Sequence, residues 1–257
     1  MPGSDRPSTA AMVASGETAS VHSWELVTAV DGPGTRMTLF LSGCPLRCQY
    51  CQNPDTLLLH DGVETSADEV IARILRYRGV FDATGGGVTI SGGEPLLQAA
   101  FVERVFRACR EAGIRTALDT SGFLGARASD ALLADTGLVL LDVKSGLPDV
   151  YREVTRRPLR PTVEFGDRLA ALGVPTWVRF VLVPGLTDGV RNVEAVADIV
   201  ERWPNVGRLE VLPFHQLGAG KWARLGRPYT LEGVRPPDAD LVARVQQQFR
   251  ARGLTVY

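Results

Sequence analysis

A chain of 257 residues that is 45% hydrophobic and 22% charged can bury one large core, so a single barrel-sized domain is as open to it as two smaller ones. Its 28 Lys and Arg against 29 Asp and Glu leave a formal net charge of -1 with the signs interspersed, which gives no electrostatic footprint for nucleic acid. No apolar run reaches transmembrane length and Met1–Ser20 lacks the basic start and apolar core of a secretory signal, so a cytoplasmic protein without membrane contact is expected.

Residues 1–20 are rich in Ser, Thr, Ala and Gly, hold few large apolar side chains to offset the entropy of ordering, and are expected to form a disordered tail. From Val21 to Tyr257 short β-branched runs alternate with helical stripes, the pattern of βα units around a parallel sheet. The first expected strand, Arg36–Ser42, leads directly into a cysteine loop. Ser66-Ala-Asp-Glu69 reads as a capping box ahead of Val70, Ile71, Ile74 and Leu75, an apolar stripe at helical spacing. Further strands are expected at Gly87–Ile90, Thr116–Asp119, Leu138–Val143, Thr176–Val183 and Arg208–Pro213. Helices are expected near Ala99–Ala112, Ala131–Ala134, Val163–Leu172, Val190–Trp203 and Asp238–Arg252. Six strands in this register predict an α/β domain over 21–257, a partial (β/α)6 barrel open on one side.

Cys44-Pro-Leu-Arg-Cys48-Gln-Tyr-Cys51 places three thiols on one short loop in C-x3-C-x2-C spacing. Soft sulfur ligands so spaced suit three corners of a [4Fe-4S] cluster and leave the fourth iron without a protein ligand. A zinc knuckle wants four tetrahedral ligands, and the three histidines, His22, His60 and His215, are unpaired in sequence. A disulfide would leave one of the three thiols over. The remaining cysteine, Cys109, falls in a helical stretch and is expected to be a packed small hydrophobe.

Polar residues gather where the expected strands end. Ser91-Gly-Gly-Glu94, Asp119-Thr-Ser-Gly122, Asp142-Val-Lys144 and Pro213-Phe-His215 each close a strand, and Arg179 lies within one. In parallel barrels the carboxyl ends of the strands carry the active site.

The cysteine loop followed by Gly92-Gly93-Glu94-Pro95 resembles the radical S-adenosylmethionine (SAM) superfamily. The stretches Val30-Asp-Gly-Pro-Gly34, Leu118-Asp-Thr-Ser-Gly-Phe123, Leu141-Asp-Val-Lys144, Trp177-Val-Arg-Phe-Val-Leu-Val-Pro-Gly185 and Leu212-Pro-Phe-His-Gln-Leu-Gly218 make Val21–Tyr257 similar to the pyruvate formate-lyase activating enzymes within it. The resemblance implies S-adenosyl-L-methionine chelated to the open iron and cleaved by an electron from the cluster. It further implies a 5′-deoxyadenosyl radical that takes a hydrogen atom from a glycine of a glycyl radical enzyme of the pyruvate formate-lyase type. Reduced flavodoxin or ferredoxin as donor, and a monomer that docks its larger client, come with it.

Residue by residue, the resemblance assigns Cys44, Cys48 and Cys51 to the cluster and Tyr50, Cys51 and Gln52 to adenine, although Gln52 stands where close relatives often carry histidine. Backbone carbonyls at Gly92 and Gly93 can approach the SAM amine because glycine has no β-carbon, although a bare glycine turn would look the same. Glu94 either reaches that amine or holds the loop. Asp142, Val143 and Lys144 match a SAM-contacting strand end, where Lys144 pairs with the carboxylate of SAM or simply with Asp142. His215 matches a further SAM contact. Asp119, Thr120, Asp142 and the carbonyl of Leu140 match a monovalent cation site for Na+ or K+, and Asp31 and Arg179 match the peptide-substrate side. Alternatives that keep the cysteine loop are an activase for another glycyl radical enzyme and a radical SAM enzyme acting on a small molecule. Dedicated activases of other clients commonly insert a cysteine-rich segment after the trio, and Gln52–Ser66 contains no cysteine.

Overall fold

The computed structural model describes residues 15–28 and 31–257. Strand β2 (Arg36–Leu41) is buried along nearly its whole length, as a strand covered on both faces must be. Beside it in parallel runs β4 (Gly87–Gly92), then β5 (Arg115–Thr120), β6 (Leu138–Asp142), β7 (Thr176–Leu182) and β8 (Val206–Pro213). These are the six expected strands, each within two residues of its expected start. Parallel strands need crossovers, and the helices supply them: α1 (Ala67–Leu75), α2 (Arg78–Thr84), α3 (Ala99–Glu111), α4 (Asp130–Ala134), α5 (Pro148–Thr155), α6 (Arg160–Leu172) and α7 (Val190–Val200). Two more follow β8, α8 (Ala219–Arg224) and α9 (Ala239–Ala251). Ser66 caps its helix as expected, its Oγ accepting from Glu69 N at 3.2 Å, and Asp238 Oδ1 caps α9 by accepting from Leu241 N at 2.8 Å.

Two strands extend the sheet beyond the six. β1 (Thr18–Thr28) lies antiparallel to β2, and β3 (Val63–Ser66) lies antiparallel to β1, giving the order β3-β1-β2-β4-β5-β6-β7-β8. The order is linear, so the sheet curls without closing: one edge is β3 and the other β8. The expected tail therefore ends sooner than expected, because Thr18, Ala19 and Ser20 pair with Ser66, Thr65 and Glu64, and Ala19 is fully buried. The rest of that stretch, residues 1–14, lies outside the described residues, as does Val30 of the Val30–Gly34 motif. One continuous core, from Ala19 and Val21 through Leu39, Ile90, Phe106 and Phe180 to Phe249, packs the helices onto the outer face of the sheet.

The carboxyl ends of β2, β4, β5, β6, β7 and β8 consequently meet at one rim. β2 ends at Leu41, and Gly43, at φ +95°, turns the chain out of the strand into the cysteine loop.

Candidate functional site

The loop after β2 is held to its neighbours mainly through its backbone. Gly43 N donates to Thr56 O at 2.7 Å, Cys44 N to Leu57 O at 3.1 Å and Cys51 N to Cys48 O at 3.1 Å, while Arg47 N and Gln49 N reach Thr155 O and Val154 O at the end of α5. Cys44, Cys48 and Cys51 line a cavity of about 710 Å³, and all three are free thiols. Burial pushes each of them up, Cys48 to about 12, and for Cys44 the neighbouring Cys48 adds to the effect. Thiols held this way stay protonated until a metal displaces the proton. Three soft donors on one loop, facing a cavity with room for a ligand, fit a three-cysteine iron–sulfur centre. Cys109, buried on the inner face of α3 and absent from the cavity wall, supplies no fourth.

Most of the expected site residues share that cavity. Tyr50, Gln52, Gly92 and Gly93 line it, as do Asp119, Thr120, Asp142, Lys144, His215, Asp31 and Arg179. The hydroxyl of Tyr50 and Oε1 of Gln52 are buried with no hydrogen-bond partner, although buried polar atoms are normally satisfied. The Tyr50 ring also packs with Val154, Val183, Phe214 and Leu231, so most of the side chain belongs to a small core.

Glu94 stands behind the cavity wall. It is fully buried, Oε1 accepts from Thr120 Oγ1 at 2.6 Å and Leu96 N at 3.2 Å, and Oε2 accepts from Ser121 N at 3.0 Å and Ser121 Oγ. Burial raises its pKa and these donors oppose the shift. Of the two roles open to Glu94, the structure gives it the loop: it ties the end of β4 to the end of β5. Val143 is likewise buried in the main core, so only its backbone is left to face a ligand, and its N–H already donates to Arg179 O at 3.0 Å. The glycines have a structural reason of their own. A β-carbon on Gly93 would come within 2.3 Å of Gly43 O, and one on Gly92 within 2.2 Å of Leu41 O, so the cysteine loop and β4 approach too closely for a side chain.

Charge is concentrated around β6 and β7. Lys144 Nζ lies 2.7 Å from Asp142 Oδ2 and 5.6 Å from the Tyr50 ring centroid. Burial alone would depress Lys144, but Asp142, with Tyr50 and Cys48, drives its pKa well above the usual value, so it stays a cation. Arg179, 7% exposed, reaches Asp119 and Glu210 at 3.3 Å each and Asp31 at 3.9 Å. Burial works against its charge, and the surrounding Asp119, Asp142, Glu210 and Asp31 more than restore it. Asp119 also accepts from Ser91 Oγ at 2.6 Å, and burial pushes its carboxyl up to about 6 despite Arg179. Of the expected cation ligands, Leu140 is buried with Ala117 and Leu138, its backbone opposite Asp119 in the β5–β6 ladder.

His22 and His60 lie outside the cavity wall: His22 Nε2 meets Asp55 at 3.2 Å and His60 is exposed beside Asp61. Sequence reasoning missed Glu210, Arg36 and Trp222, and placed Ser91 at the rim without a role, which the structure supplies as its hydrogen bond to Asp119. Arg36 is 1% exposed and donates to Thr89 Oγ1 and Val88 O, while Thr89 Oγ1 donates to Asp31 O, so it braces the Asp31 turn from below. Glu210 had a signal: it is a lone carboxylate in the apolar run of β8 and stands directly opposite Arg179 in the β7–β8 register. Trp222 had none, since its indole reaches Cys51 O at 2.9 Å across 171 residues of sequence.

The model for the radical SAM superfamily matches residues 38–197 of this chain. The chain is 40% identical over 229 residues to the pyruvate formate-lyase-activating enzyme of Listeria monocytogenes, covering 87% of this chain and 92% of that one. It is 40% identical over 228 residues to the pyruvate formate-lyase 1-activating enzyme of Escherichia coli, covering 88% and 93%. Among solved structures it is similar to a domain of a pyruvate-formate lyase-activating enzyme from Bacteroides vulgatus, with TM-score 0.57 and 24% identity over 67% of this chain and 98% of that one. It also superposes on a radical SAM methyltransferase from Sphaerobacter thermophilus, with TM-score 0.63 and 19% identity over 94% and 72%.

Proposed function

Since this chain belongs to the radical SAM superfamily and, within it, to the pyruvate formate-lyase-activating enzymes, we propose that it activates a glycyl radical client of the pyruvate formate-lyase type at the rim of its open barrel. The observation that carries the reading is the meeting of three free thiols with one polar cavity while Cys109 stays in the core. A [4Fe-4S] cluster and SAM, when bound, supply a 5′-deoxyadenosyl radical that removes a hydrogen atom from the client's glycine.

The residues of the chain do the holding. Cys44, Cys48 and Cys51 would ligate the cluster. The cation on Lys144 suits the carboxylate of SAM, and the carbonyls of Gly92 and Gly93 suit its amine. Tyr50, Cys51 and Gln52 would stand beside the base and His215 would make a further contact to SAM, a placement supported by all four residues lining the one cavity. Arg179, balanced between Asp31, Asp119 and Glu210, presents a fixed charge network to an extended peptide entering from the open side. The same reading gives Asp119, Thr120, Asp142 and the Leu140 carbonyl a monovalent cation, Na+ or K+. A reduced flavodoxin or ferredoxin would serve as electron donor to a monomeric enzyme.

Anaerobic reconstitution with iron and sulfide, followed by SAM, a reductant and a pyruvate formate-lyase, tests this. A glycyl doublet in the electron spin resonance spectrum is expected, lost with Cys44→Ala, Cys48→Ala or Cys51→Ala together with the brown chromophore and retained in Cys109→Ala. Turnover of a free metabolite with no protein radical would point instead to the small-molecule alternative, and loss of the chromophore in Cys109→Ala would overturn the three-cysteine centre.

A further inference from the structure

The cysteine loop has two sides. Its inner side carries the three thiols, and its outer side carries exposed Arg47 and is fastened to the end of α5: Arg47 N donates to Thr155 O, Gln49 N to Val154 O, and Arg157 Nε to Pro45 O at 2.7 Å. This junction gathers arginine. Arg152, Arg156, Arg157 and Arg160 follow one another around the end of α5 and are all exposed, with Arg47 beside them. Across Cys44–Cys51 and Leu147–Arg160 there are five arginines and two carboxylates, Asp149 and Glu153, in a chain whose net charge is -1. Arg160 pairs with Glu164 at 3.2 Å, whereas Arg47, Arg152, Arg156 and Arg157 make no ion pair among the described residues.

A second observation comes from the backbone. Three helices end on a residue in the left-handed region: α2 on Gly85, α6 on Gly173 and α5 on Arg156, at φ +62°. Glycine takes this conformation without strain, while a residue with a β-carbon is disfavoured in it by about 1 kcal/mol. Arg156 is the one positive-φ residue other than glycine among the described residues, and no hydrogen bond, ion pair or ring contact of its side chain offsets that cost. The conformation closes α5, with Arg156 N donating to Arg152 O at 2.8 Å, so a cap that glycine would fill without strain carries an exposed cationic side chain instead.

We propose that the arginine face formed by Arg47 and Arg152–Arg160 docks an acidic electron-carrier protein, which passes one electron through the cysteine loop to the metal centre on its inner side. The inference rests on the function proposed above, whose chemistry consumes one external electron per SAM cleaved. The client's glycine must enter on the cavity side, where the thiols, Asp31 and Arg179 stand, so the outer side of the loop is left for the donor. No bond forms or breaks in the transfer: the carrier's reduced flavin or iron–sulfur centre is oxidised by one electron, and the centre held by the cysteines is reduced by one. Opposite charge steers such encounters and makes them sensitive to salt.

The test separates donor from chemistry. 5′-Deoxyadenosine formation is measured with photoreduced acidic flavodoxin and, separately, with dithionite, for the native chain, Arg156→Gly, and the double variant Arg152→Glu/Arg156→Gly. With flavodoxin the double variant should need about tenfold more carrier for half-maximal rate and lose most of its salt dependence, and with dithionite it should match the native chain. Binding of oxidised flavodoxin to the cluster-free protein, followed by calorimetry, should weaken by a similar factor, about 1.4 kcal/mol. Arg156→Gly should melt no lower than the native chain, because the strain is relieved. Equal carrier dependence in all three proteins overturns the proposal. So does an equal loss with dithionite, and so does a defect confined to radical transfer onto the client. If the native chain forms no 5′-deoxyadenosine with any reductant, the function reading fails, while the binding measurement still decides the docking face.

Discussion

Asp119 shows how far a single carboxyl can be moved by its surroundings. It is held between the cation of Arg179 at 3.3 Å and the hydroxyl of Ser91 at 2.6 Å, yet burial and the nearby Asp142 leave it at about 6. An unfolded Asp titrates near ~4, so the folded chain holds this proton more tightly. Its contribution to stability is therefore fully present below the unfolded value and is withdrawn as pH rises through about 6. Carbon-13 NMR of the labelled carboxyl should show a midpoint near 6, and Arg179→Met should move it upward, because the guanidinium is what holds it down. A midpoint near ~4 would mean that Arg179 and Ser91 outweigh burial, and one that ignores the substitution would remove Arg179 from the site's electrostatics. At this scale the sequence was informative about which residues gather and less so about what each one does. Asp119, Asp142 and Arg179 are recognisable because charge is out of place in an apolar strand. Gly93 and Glu94 are recognisable as a motif, but their tasks are not: that Gly93 yields space to Gly43, and that Glu94 binds Thr120 and Ser121, depends on which backbone lies across the way.

Helices and strands divide along the same line. The six parallel strands are legible because a strand covered on both faces must be a β-branched apolar run. β1 and β3 escaped notice because β1 mixes polar and apolar residues and β3 is four residues long, mostly exposed. The segment after β8 is a third case, since its order comes from what it grips. Trp222 Nε1 donates to Cys51 O, Lys221 Nζ to Asn53 Oδ1 at 2.9 Å, Arg227 to Pro54 O, and Thr230 Oγ1 to Gln49 Oε1 at 3.0 Å, while Gln216 Nε2 ties the segment's own ends together through Leu231 O and Val234 O. The second half of the cysteine loop is thus fastened from the far edge of the sheet, as its first half is from α5. Trp222→Phe keeps the ring beside Tyr229 and removes the donor, leaving the Cys51 carbonyl bare at a cost of about 1 kcal/mol. Amide exchange across Cys51–Asp55 in the cluster-free protein should then quicken by roughly fivefold, with the rest of the barrel unchanged. Uniform acceleration throughout the chain would mean the bond serves the whole fold and not this loop.

An open barrel has edges, and the edge at β8 exposes the backbone groups of an otherwise complete parallel sheet to pairing with another chain. Here the edge is covered by residues 254–257, which return beside it in parallel. Leu209 N donates to Thr255 O at 2.8 Å, Tyr257 N to Leu209 O at 3.0 Å and Val211 N to Tyr257 O at 3.1 Å, with a bridge between Leu209 and Val256. The Arg208 guanidinium lies 3.9 Å from the Tyr257 ring centroid and 4.6 Å from that of Trp177, clamping the segment to the sheet. Three backbone hydrogen bonds and one cation–π contact together are worth about 3 kcal/mol, and their removal leaves unpaired N–H groups facing outward. Deletion of Leu254–Tyr257 should lower the melting temperature by several degrees and, more tellingly, make the loss of soluble protein depend on concentration, as edge-to-edge pairing does. Light scattering during a thermal ramp at two concentrations distinguishes the cases: a lower but concentration-independent transition would show that the segment adds stability without guarding the edge. Because β8 also carries Glu210 opposite Arg179, the same deletion should loosen the charge network at the rim, tying the closing of the molecule's edge to the geometry of its site.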